Sequence, residues 1–493
     1  MWSLPRWNLT SLYEDDKKWK EDINYLYSTL IKSYYDRNVV VTLDTVELYR
    51  KTKDYFTLKE ILENDSDCQE CKRKLSIVNK IIELSNNKRN ISLSDKNKYM
   101  NEYFIITTQI NSQISMSSDA LLSSNKLVRS SYYTKIMAEF KKESESLESL
   151  FISFFNKIEP NTISNDIIEI GEKLRTSTNN NLHLYQQSLN QKAMMMKQEE
   201  LNIYDLNYYY HSYPDINFLE AFSKIKESLK LIGYNFVEDF EKLIVQGKID
   251  LSQSNKKNPF PLCIQLLNND SYISLSYENN IDDVFALIHE VGHCISNQAR
   301  SLMPDVNIKN QTLKVIDEIF AITLELILLR IELNKSDRRE FFLEYFVELY
   351  RENIFSQIMY HEFEEYCTQV FLEDKKNLSV FYFSLIKKYH GEKHVNDKRE
   401  SLGYLRTPHY FNSYYCIQYS IAFIISLKIS KLVVDNNRGE QLKKAITKQL
   451  EFRTLNCFLK FWDLETSELT NDCFNEYKEI LNEIESIYER KEK

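Results

Sequence analysis

The sequence predicts a mainly α-helical protein, and its composition is the first reason. The 493-residue chain contains only 7 Gly and 7 Pro, far below the roughly 7% and 5% of average proteins. So few turn residues argue against a many-stranded sandwich or a glycine-loop nucleotide fold and favour long helices. Hydrophobic residues make up 43% and charged residues 27% of the chain, which is typical of a globular protein rather than a disordered one.

Residues 1–185 are predicted to form a helical N-terminal unit without catalytic chemistry. Apolar residues repeat there at helical spacing, which indicates a core-facing stripe. The stripe consists of Leu147, Leu150, Phe151, Phe154, Phe155 and Ile158. Polar interruptions follow at Asn161–Asn165 and Thr176–Asn181, and the second is a predicted join to residues 186–493.

Two short stretches of strand composition, Leu262–Leu267 and Tyr272–Tyr277, predict a small sheet within residues 262–277. The preceding segment, 247–260, is rich in Gly, Asn and Pro and is predicted to be a loop. An exposed edge of this sheet could pair with an extended peptide, with Tyr277 as a candidate substrate contact. A hairpin that only covers the core is an equally good interpretation.

The central motif is DDVFALIHEVGHCI at residues 282–295, where Asp282 or Asp283 can cap a helix. On that helix His289 and His293 are separated by four residues, so both imidazoles leave the same face. This spacing suits two ligands of one tetrahedral zinc ion, with Glu290 placed to take a proton from the metal-bound water. The alternative is a surface helix that carries two histidines without a metal.

A third protein ligand is needed, and the apolar helix predicted at Leu313–Leu329 offers two acids. Glu318 and Glu325 are two turns apart and share a face, and acids in so apolar a helix are costly unless a cation pairs with them. We assign Glu318 to the metal and Glu325 to the free ring nitrogen of a ligand histidine, although the two roles could be exchanged. Asp317 is predicted to face solvent.

A second unusual passage is RTPHYFNSYYCIQY at residues 406–419. Pro408 prevents a continuous helix, so the following apolar helix is expected to begin near Ser413. A loop that presents His409, followed by tyrosines on a helix, can donate hydrogen bonds to the oxyanion of a tetrahedral intermediate.

Net charge and hydropathy limit the partners of the protein. The formal charge of −9 argues against nucleic acid as a partner. No signal-peptide pattern occurs at the N-terminus, and charged residues interrupt the most apolar stretches, Ile319–Leu329 and Ile421–Val434. We therefore expect buried helices, no membrane partner and a cytoplasmic location, with Cys294 as a buried thiol.

The chain resembles the oligoendopeptidase F branch of the thimet oligopeptidase family of zinc peptidases. The likeness comprises HEVGH at 289–293, EIFAITLE at 318–325 and RTPHYFNSYY at 406–415. Glu318 stands 25 residues after His293, as the third ligand does in that family. Weaker likenesses occur at residues 7–13, 201–206 and 354–364.

The resemblance implies a two-lobed helical enzyme with a deep central cleft, one Zn²⁺ per chain and endopeptidase action on short unstructured peptides. It places His409 and Tyr415 at positions that bind substrate and stabilise the intermediate, and Tyr419 in the same cluster. We expect a monomer or a weak oligomer.

The chain also departs from the family pattern. Ile417 stands where relatives usually have a tyrosine, Ser296 replaces a histidine, and residues 256–260 replace a substrate loop. These departures leave two alternatives open: a dedicated maturation protease that trims one leader peptide, or a peptide-binding relative that does not hydrolyse.

Overall fold

The structure is a computed structural model, and it describes most of the chain. The described residues are 4–35, 43–63, 68–85, 118–155, 164–254, 261–267, 269–301, 310–335, 337–369, 375–412 and 414–492, with the single residues 99, 102, 103, 106, 107, 110, 257 and 260.

Helices dominate the described residues, as the shortage of Gly and Pro predicts. The helices of the N-terminal part are α1 (Asp16–Tyr35), α2 (Leu43–Glu63), α3 (Cys68–Ser85), α4 (Lys126–Phe155), α5 (Asn165–Asn180), α6 (Leu182–Met195), α7 (Phe218–Lys230) and α8 (Tyr234–Val245). Those that follow are α9 (Ile281–Ser301), α10 (Asn310–Lys335), α11 (Arg339–Tyr350), α12 (Gln357–Gln369), α13 (Lys375–His390), α14 (Tyr415–Asn436), α15 (Gly439–Thr447), α16 (Leu455–Phe461) and α17 (Thr466–Glu492). A π-helical segment, Arg351–Ser356, joins α11 to α12.

The predicted stripe on α4 lies in the main hydrophobic core, together with residues from α9, α10 and α14. Its members Leu147 and Phe151 are each 1% exposed, while Ile158 lies outside the described residues. The predicted join is shorter than expected, because α5 continues to Asn180 and only Asn181 separates it from α6. The division at residue 185 stays a prediction, and that position falls inside α6.

The small sheet has three strands in the order β1 (Ile249–Asp250), β3 (Ser271–Ser274) and β2 (Leu262–Gln265). The two predicted strands pair antiparallel, and β1 adds in parallel to β3 from within the segment that we predicted to be loop. The loop prediction was wrong for Ile249 and Asp250, because both residues are buried beneath the N-terminal segment of the chain. The next residue, Leu251, donates its backbone N–H to the carbonyl of Pro5 in that segment. Strand β2 forms the other edge, beside α9.

Part of the loop 256–260 has a structural role that the sequence did not reveal. Lys257 is completely buried, and its Nζ donates to Asp250 Oδ1 at 2.7 Å and to the carbonyls of Asp250, Ser252 and Leu275. The lysine therefore ties this segment to β1 and β3. Residues 256, 258 and 259 lie outside the described residues.

Helix α14 is the apolar helix predicted after Pro408, and it begins at Tyr415, two residues after the predicted start at residue 413, which lies outside the described residues. Among the described helices it alone is long and apolar enough to cross a membrane by length and composition. However, 72% of its apolar window is buried inside the protein. Ser426 on α14 donates to the carbonyl of Ile319 on α10 at 2.9 Å, which fixes the two central core helices together.

Candidate metal centre and active site

Helix α9 begins with a reciprocal cap that fixes the start of the motif helix. Asn280 accepts from the Asp283 amide at 2.8 Å, and Asp283 Oδ2 accepts from the amides of Glu278 and Asn280. The N-cap residue is therefore Asn280, not Asp282 or Asp283 as predicted. Asp283, in the first turn of the helix, accepts from the Asn280 amide in return, so the two residues form a capping box. Burial raises the pKa of the Asp283 carboxyl to about 6.

The motif glycine lets α9 approach α10 closely. A Cβ atom added at Gly292 would lie 2.7 Å from the Cα of Ala321, which is too close for two carbon atoms that are not bonded to each other. Because Gly292 precedes His293 and Ala321 is one turn after Glu318, the close approach brings the second helix's acid towards the two histidines. The sequence predicts both helices, but it does not show this contact.

The three predicted ligands meet at one point. Nε2 of His289 and Nε2 of His293 are 3.0 Å apart. Oε2 of Glu318 lies 3.6 Å from the first and 3.8 Å from the second. Donor atoms held at about 2.1 Å around one tetrahedral ion are separated by about 3.4 Å, so these three distances suit a common metal.

The donor set also needs a cation. Glu318 Oε2 is buried and accepts no hydrogen bond, which is costly for a carboxylate oxygen. A set of two imidazoles and one carboxylate suits zinc and other first-row divalent ions. The described residues therefore fit a bound metal at this point, and the exchanged assignment, with Glu325 as the ligand, is not needed.

Glu325 contacts the ring nitrogen of His289 that does not face the metal position. Its Oε1 lies 2.5 Å from Nδ1 of His289, so Nδ1 carries the proton and Nε2 faces the metal position. Burial opposes a charged ring, but the Glu325 carboxylate outweighs it and raises the pKa of His289 to about 10 in the absence of metal. A metal ion must displace that second proton to bind.

Glu290 lies in the same buried site and does not contact the metal position as a ligand. Its carboxyl is 7% exposed and accepts a hydrogen bond from the backbone amide of Cys263 on β2. Burial raises the pKa of the Glu290 carboxyl, while the neighbouring His289 and His293 rings lower it. Such a carboxyl is suited to proton transfer near neutral pH.

Cys294 is a buried free thiol, as expected. Its Sγ lies 3.5 Å from the Sγ of Cys263, so α9 and β2 are in side-chain contact beside Glu290.

The predicted oxyanion group gathers beside Glu318. The Tyr415 hydroxyl donates to Glu318 Oε1 at 2.9 Å, leaving Oε2 for the metal. The rings of His409, Tyr415 and Tyr419 pack together with centroid distances of 5.1 to 5.9 Å. Burial raises the pKa of Tyr415 well above its usual value, so this hydroxyl stays a proton donor.

Gln357 positions the His409 ring, and sequence reasoning missed it. Nδ1 of His409 lies 3.3 Å from Gln357 Oε1, and burial lowers the pKa of His409, which favours the neutral ring. Gln357 belongs to the weaker likeness at 354–364, which was the only signal for it in the sequence.

Two further sequence predictions, for the side chains of Tyr277 and Asp317, are wrong. Tyr277 was predicted to contact substrate, but it is 0% exposed and its hydroxyl donates to the carbonyl of Ile216 at 2.8 Å. Asp317 was predicted to face solvent, but it accepts hydrogen bonds from Ser296 at 2.6 Å and from Arg300. Both side chains were misjudged because their partners lie on distant parts of the chain.

The sequence profile of Peptidase family M3 matches residues 152–449, a range that contains every proposed ligand and the His409–Tyr419 group. The chain belongs to peptidase family M3. The resemblance to oligoendopeptidase F is thereby confirmed.

The chain is similar to oligopeptidase PepF of Bacillus subtilis, with 24% identity over 303 residues, which are 59% of this chain and 44% of that one. Chromosomal oligoendopeptidase F of Lactococcus lactis subsp. cremoris is 25% identical over 56% of this chain and 47% of its own. A Borreliella burgdorferi oligoendopeptidase F homolog is 24% identical over 75% of this chain and 67% of its own. The chain thus spans about half the length of the first two.

Solved structures confirm the fold. Oligoendopeptidase F of Enterococcus faecium superposes with a TM-score of 0.57 at 17% identity, covering 96% of this chain and 91% of that one. PZ peptidase A with an inhibitor gives a TM-score of 0.68 at 12% identity, covering 98% of both chains. The predicted helical fold with a small sheet beside the motif helix is therefore confirmed.

Proposed function

We propose that this family M3 chain is a zinc-dependent metallo-endopeptidase that hydrolyses internal bonds of short, unstructured peptides. The observation that supports it most directly is the group of His289, His293 and Glu318, whose donor atoms converge while Glu318 Oε2 has no other partner. Family membership and the names of the relatives support hydrolysis of peptides rather than of another substrate class.

In this proposal His289, His293 and Glu318 hold the ion, and Glu325 keeps His289 in the required tautomer. A bound zinc ion supplies Lewis acidity for the peptide carbonyl and lowers the pKa of water towards about 7.

Glu290 acts as the general base and then as the general acid. Its carboxylate takes a proton from the attacking water and delivers it to the leaving amine nitrogen. Burial and the raised pKa of Glu290 favour both steps, because the carboxyl can hold the proton between them.

The Tyr415 hydroxyl and His409 donate to the oxyanion as the carbonyl oxygen becomes charged. Tyr415 must then release Glu318 Oε1, to which its hydroxyl donates in the structure. With Gln357 Oε1 accepting from Nδ1, the neutral His409 ring has no proton on Nε2. In the donor state the ring is the Nε2–H tautomer, which has lost the proton from Nδ1 and gained one on Nε2 by exchange with water. A half-turn of the Gln357 amide then presents its NH₂ to the unprotonated Nδ1.

Strand β2 offers the edge along which a peptide can lie. It pairs with β3 on one side only within the described residues, and Cys263 on β2 contacts Glu290 through its amide. An extended segment added to this edge would place a backbone carbonyl beside the base. Folded proteins do not offer such segments, which supports short unstructured peptides as substrates.

Mass spectrometry of a mixed peptide pool tests the proposal. We expect internal cleavage of many peptides, abolished by a chelator and restored by Zn²⁺. A Glu290→Gln variant should retain zinc but lose at least about 10²-fold in rate. Cleavage that is unaffected by zinc removal, or an E290Q variant of wild-type rate, contradicts the proposal, and cleavage of one precursor alone favours the maturation protease.

A further inference from the structure

A second group of metal-ligand type lies on α5 and α12, away from the site described above. One ring nitrogen of His361 and one carboxylate oxygen each of Glu172 and Glu365 all lie within 4.8 Å of one another. His361 and Glu365 are four residues apart on α12, so both side chains leave the same face of the helix, and Glu172 approaches from α5.

The imidazole of His361 is buried without the hydrogen bonds that a buried ring needs. Its side chain is 6% exposed, and Nδ1 has no hydrogen-bond partner. Nε2 lies 3.7 Å from Glu365 Oε1, which is too long for a hydrogen bond. A buried polar group without a partner costs about 1–3 kcal/mol, so the ring requires an explanation. An ion on Nε2 would fix the ring proton on Nδ1, where a carboxylate can accept it.

A second buried polar atom without a hydrogen-bond partner lies next to this ring. Glu364 Oε2 is buried without a partner and is 3.8 Å from Nδ1 of His361. A histidine that binds a metal through one nitrogen usually donates the other N–H to a carboxylate. Glu364 lies on the same side of His361 as Glu325 does of His289, but at 3.8 Å rather than at hydrogen-bond distance. The other oxygen of Glu364 accepts from the Tyr414 amide at 2.6 Å.

We propose that Glu172, His361 and Glu365 bind a divalent transition-metal ion through His361 Nε2 and two carboxylates, with Glu364 holding Nδ1–H. One imidazole and two carboxylates suit zinc and related first-row ions. The ion has access, because the side chains of Glu172 and Glu365 are 42% and 29% exposed.

Arg175 competes with the ion and limits its affinity. Its Nη2 and Nε donate to Glu172 Oε2 at 2.5 and 3.2 Å. Both arginine hydrogen bonds go to Oε2 of Glu172, so the other oxygen, Glu172 Oε1, is free to bind the metal. The proposed site of Glu172, His361 and Glu365 is therefore expected to bind zinc more weakly than the site of His289, His293 and Glu318. Among the described residues, no arginine contacts those three ligands.

The test measures bound metal and needs no peptide substrate. The full chain is stripped with a chelator, titrated with Zn²⁺ alone, and its bound zinc is counted after removal of free ion. We expect two zinc ions per wild-type chain, one per H361Q chain, and two per chain in the control E169Q, which removes an exposed acid three residues from Glu172 on the same helix.

Two further variants test the same site without replacing the buried His361, whose loss could itself affect folding. A double variant E172Q/E365Q changes only partly exposed side chains and should also bind one ion. R175Q should keep two ions and bind the weaker one about tenfold more tightly, because a competing charge is gone. Saturation of the wild type at one ion, or two ions retained by H361Q or by E172Q/E365Q, overturns the proposal, whether or not the protein cleaves peptides.

Discussion

Gly292 on α9 lies against the backbone of Ala321 on α10, so closely that a methyl group at Gly292 would stand 2.7 Å from the Ala321 Cα. This contact sets the distance between the helix that carries two ligands and the helix that carries the third. The metal centre therefore depends on a residue that binds nothing itself.

The first prediction tests this contact. Gly292→Ala should force the two helices apart, lower the stability of the protein by about 1–3 kcal/mol through overpacking and weaken zinc binding. Gly171→Ala is a matched control, because its new Cβ would meet side-chain atoms and no backbone, with Ile417 Cγ1 at 2.7 Å and Ile421 Cδ1 at 3.9 Å. Denaturant unfolding and titration of the tighter zinc site measure both effects, and an equal loss of zinc affinity at that site in the two variants would refute the helix-spacing role.

The second prediction concerns Glu325 and its 2.5 Å contact with His289 Nδ1. Glu325→Gln should weaken zinc binding by about 10- to 100-fold, because the ligand ring loses its negatively charged partner. Glu332→Gln on the same helix removes an acid that pairs with Lys224 instead, and it should leave zinc affinity unchanged. Competition with a chromogenic chelator measures both affinities, and a wild-type value for E325Q would contradict the assignment.

The third prediction separates two tyrosines. Tyr415→Phe should lower kcat by about 10²- to 10³-fold, because an oxyanion donor is lost, while zinc content is kept. Tyr277→Phe should leave kcat and KM unchanged and cost about 1 kcal/mol of stability, because only the buried hydrogen bond to Ile216 is lost. Steady-state kinetics and urea unfolding measure both variants, and a large rise in KM for Y277F would restore the substrate role that the sequence predicted.

The fourth prediction concerns acid stability and His390, whose ring is buried against Tyr185 and whose Nδ1 lies 3.1 Å from the Ile386 carbonyl. Burial lowers the pKa of His390 to about 4 from an ordinary value of 6.5. Between these values the unfolded chain binds more protons, so stability falls as the pH drops from 6.5 towards 4, by about 3 kcal/mol in all.

A His390→Gln variant cannot take up this proton and should lose correspondingly less stability between pH 7 and pH 4.5. Urea unfolding of the metal-free proteins measures the difference, since protonation of the metal ligands then contributes equally to both. An identical pH dependence in the two proteins would exclude His390 as the source.

Much of the site could be predicted because its chemistry is encoded over short distances in the sequence. His289, Glu290 and His293 lie on one helix, and Glu318 and Glu325 lie on another at a two-turn spacing. Helical periodicity therefore places each group on a face without knowledge of the fold. A loop that presents His409, with tyrosines on the helix after it, was predicted from local proline and helix signals. The roles of Tyr415 and Tyr419 came from the resemblance to oligoendopeptidase F.

Apart from the helix cap at Asn280, the errors concern contacts between segments that are remote in the sequence. Tyr277 reaches Ile216, Asp317 reaches Ser296 and Arg300, and Lys257 is buried against two strands. Periodicity gives the face of an element but not the neighbour that the face meets, so partners of this kind have no local signal.

The sequence by itself determined the helical class, the two ligand-bearing helices and the residue that can serve as base, because composition and spacing carry that information. Only the tertiary structure decided that Gly292 packs on Ala321, that β2 delivers an amide to Glu290, and that His361 is buried between Glu364 and Glu365. Those relations arise from the packing of distant segments, where close fit and burial, rather than local preference, fix which atoms meet.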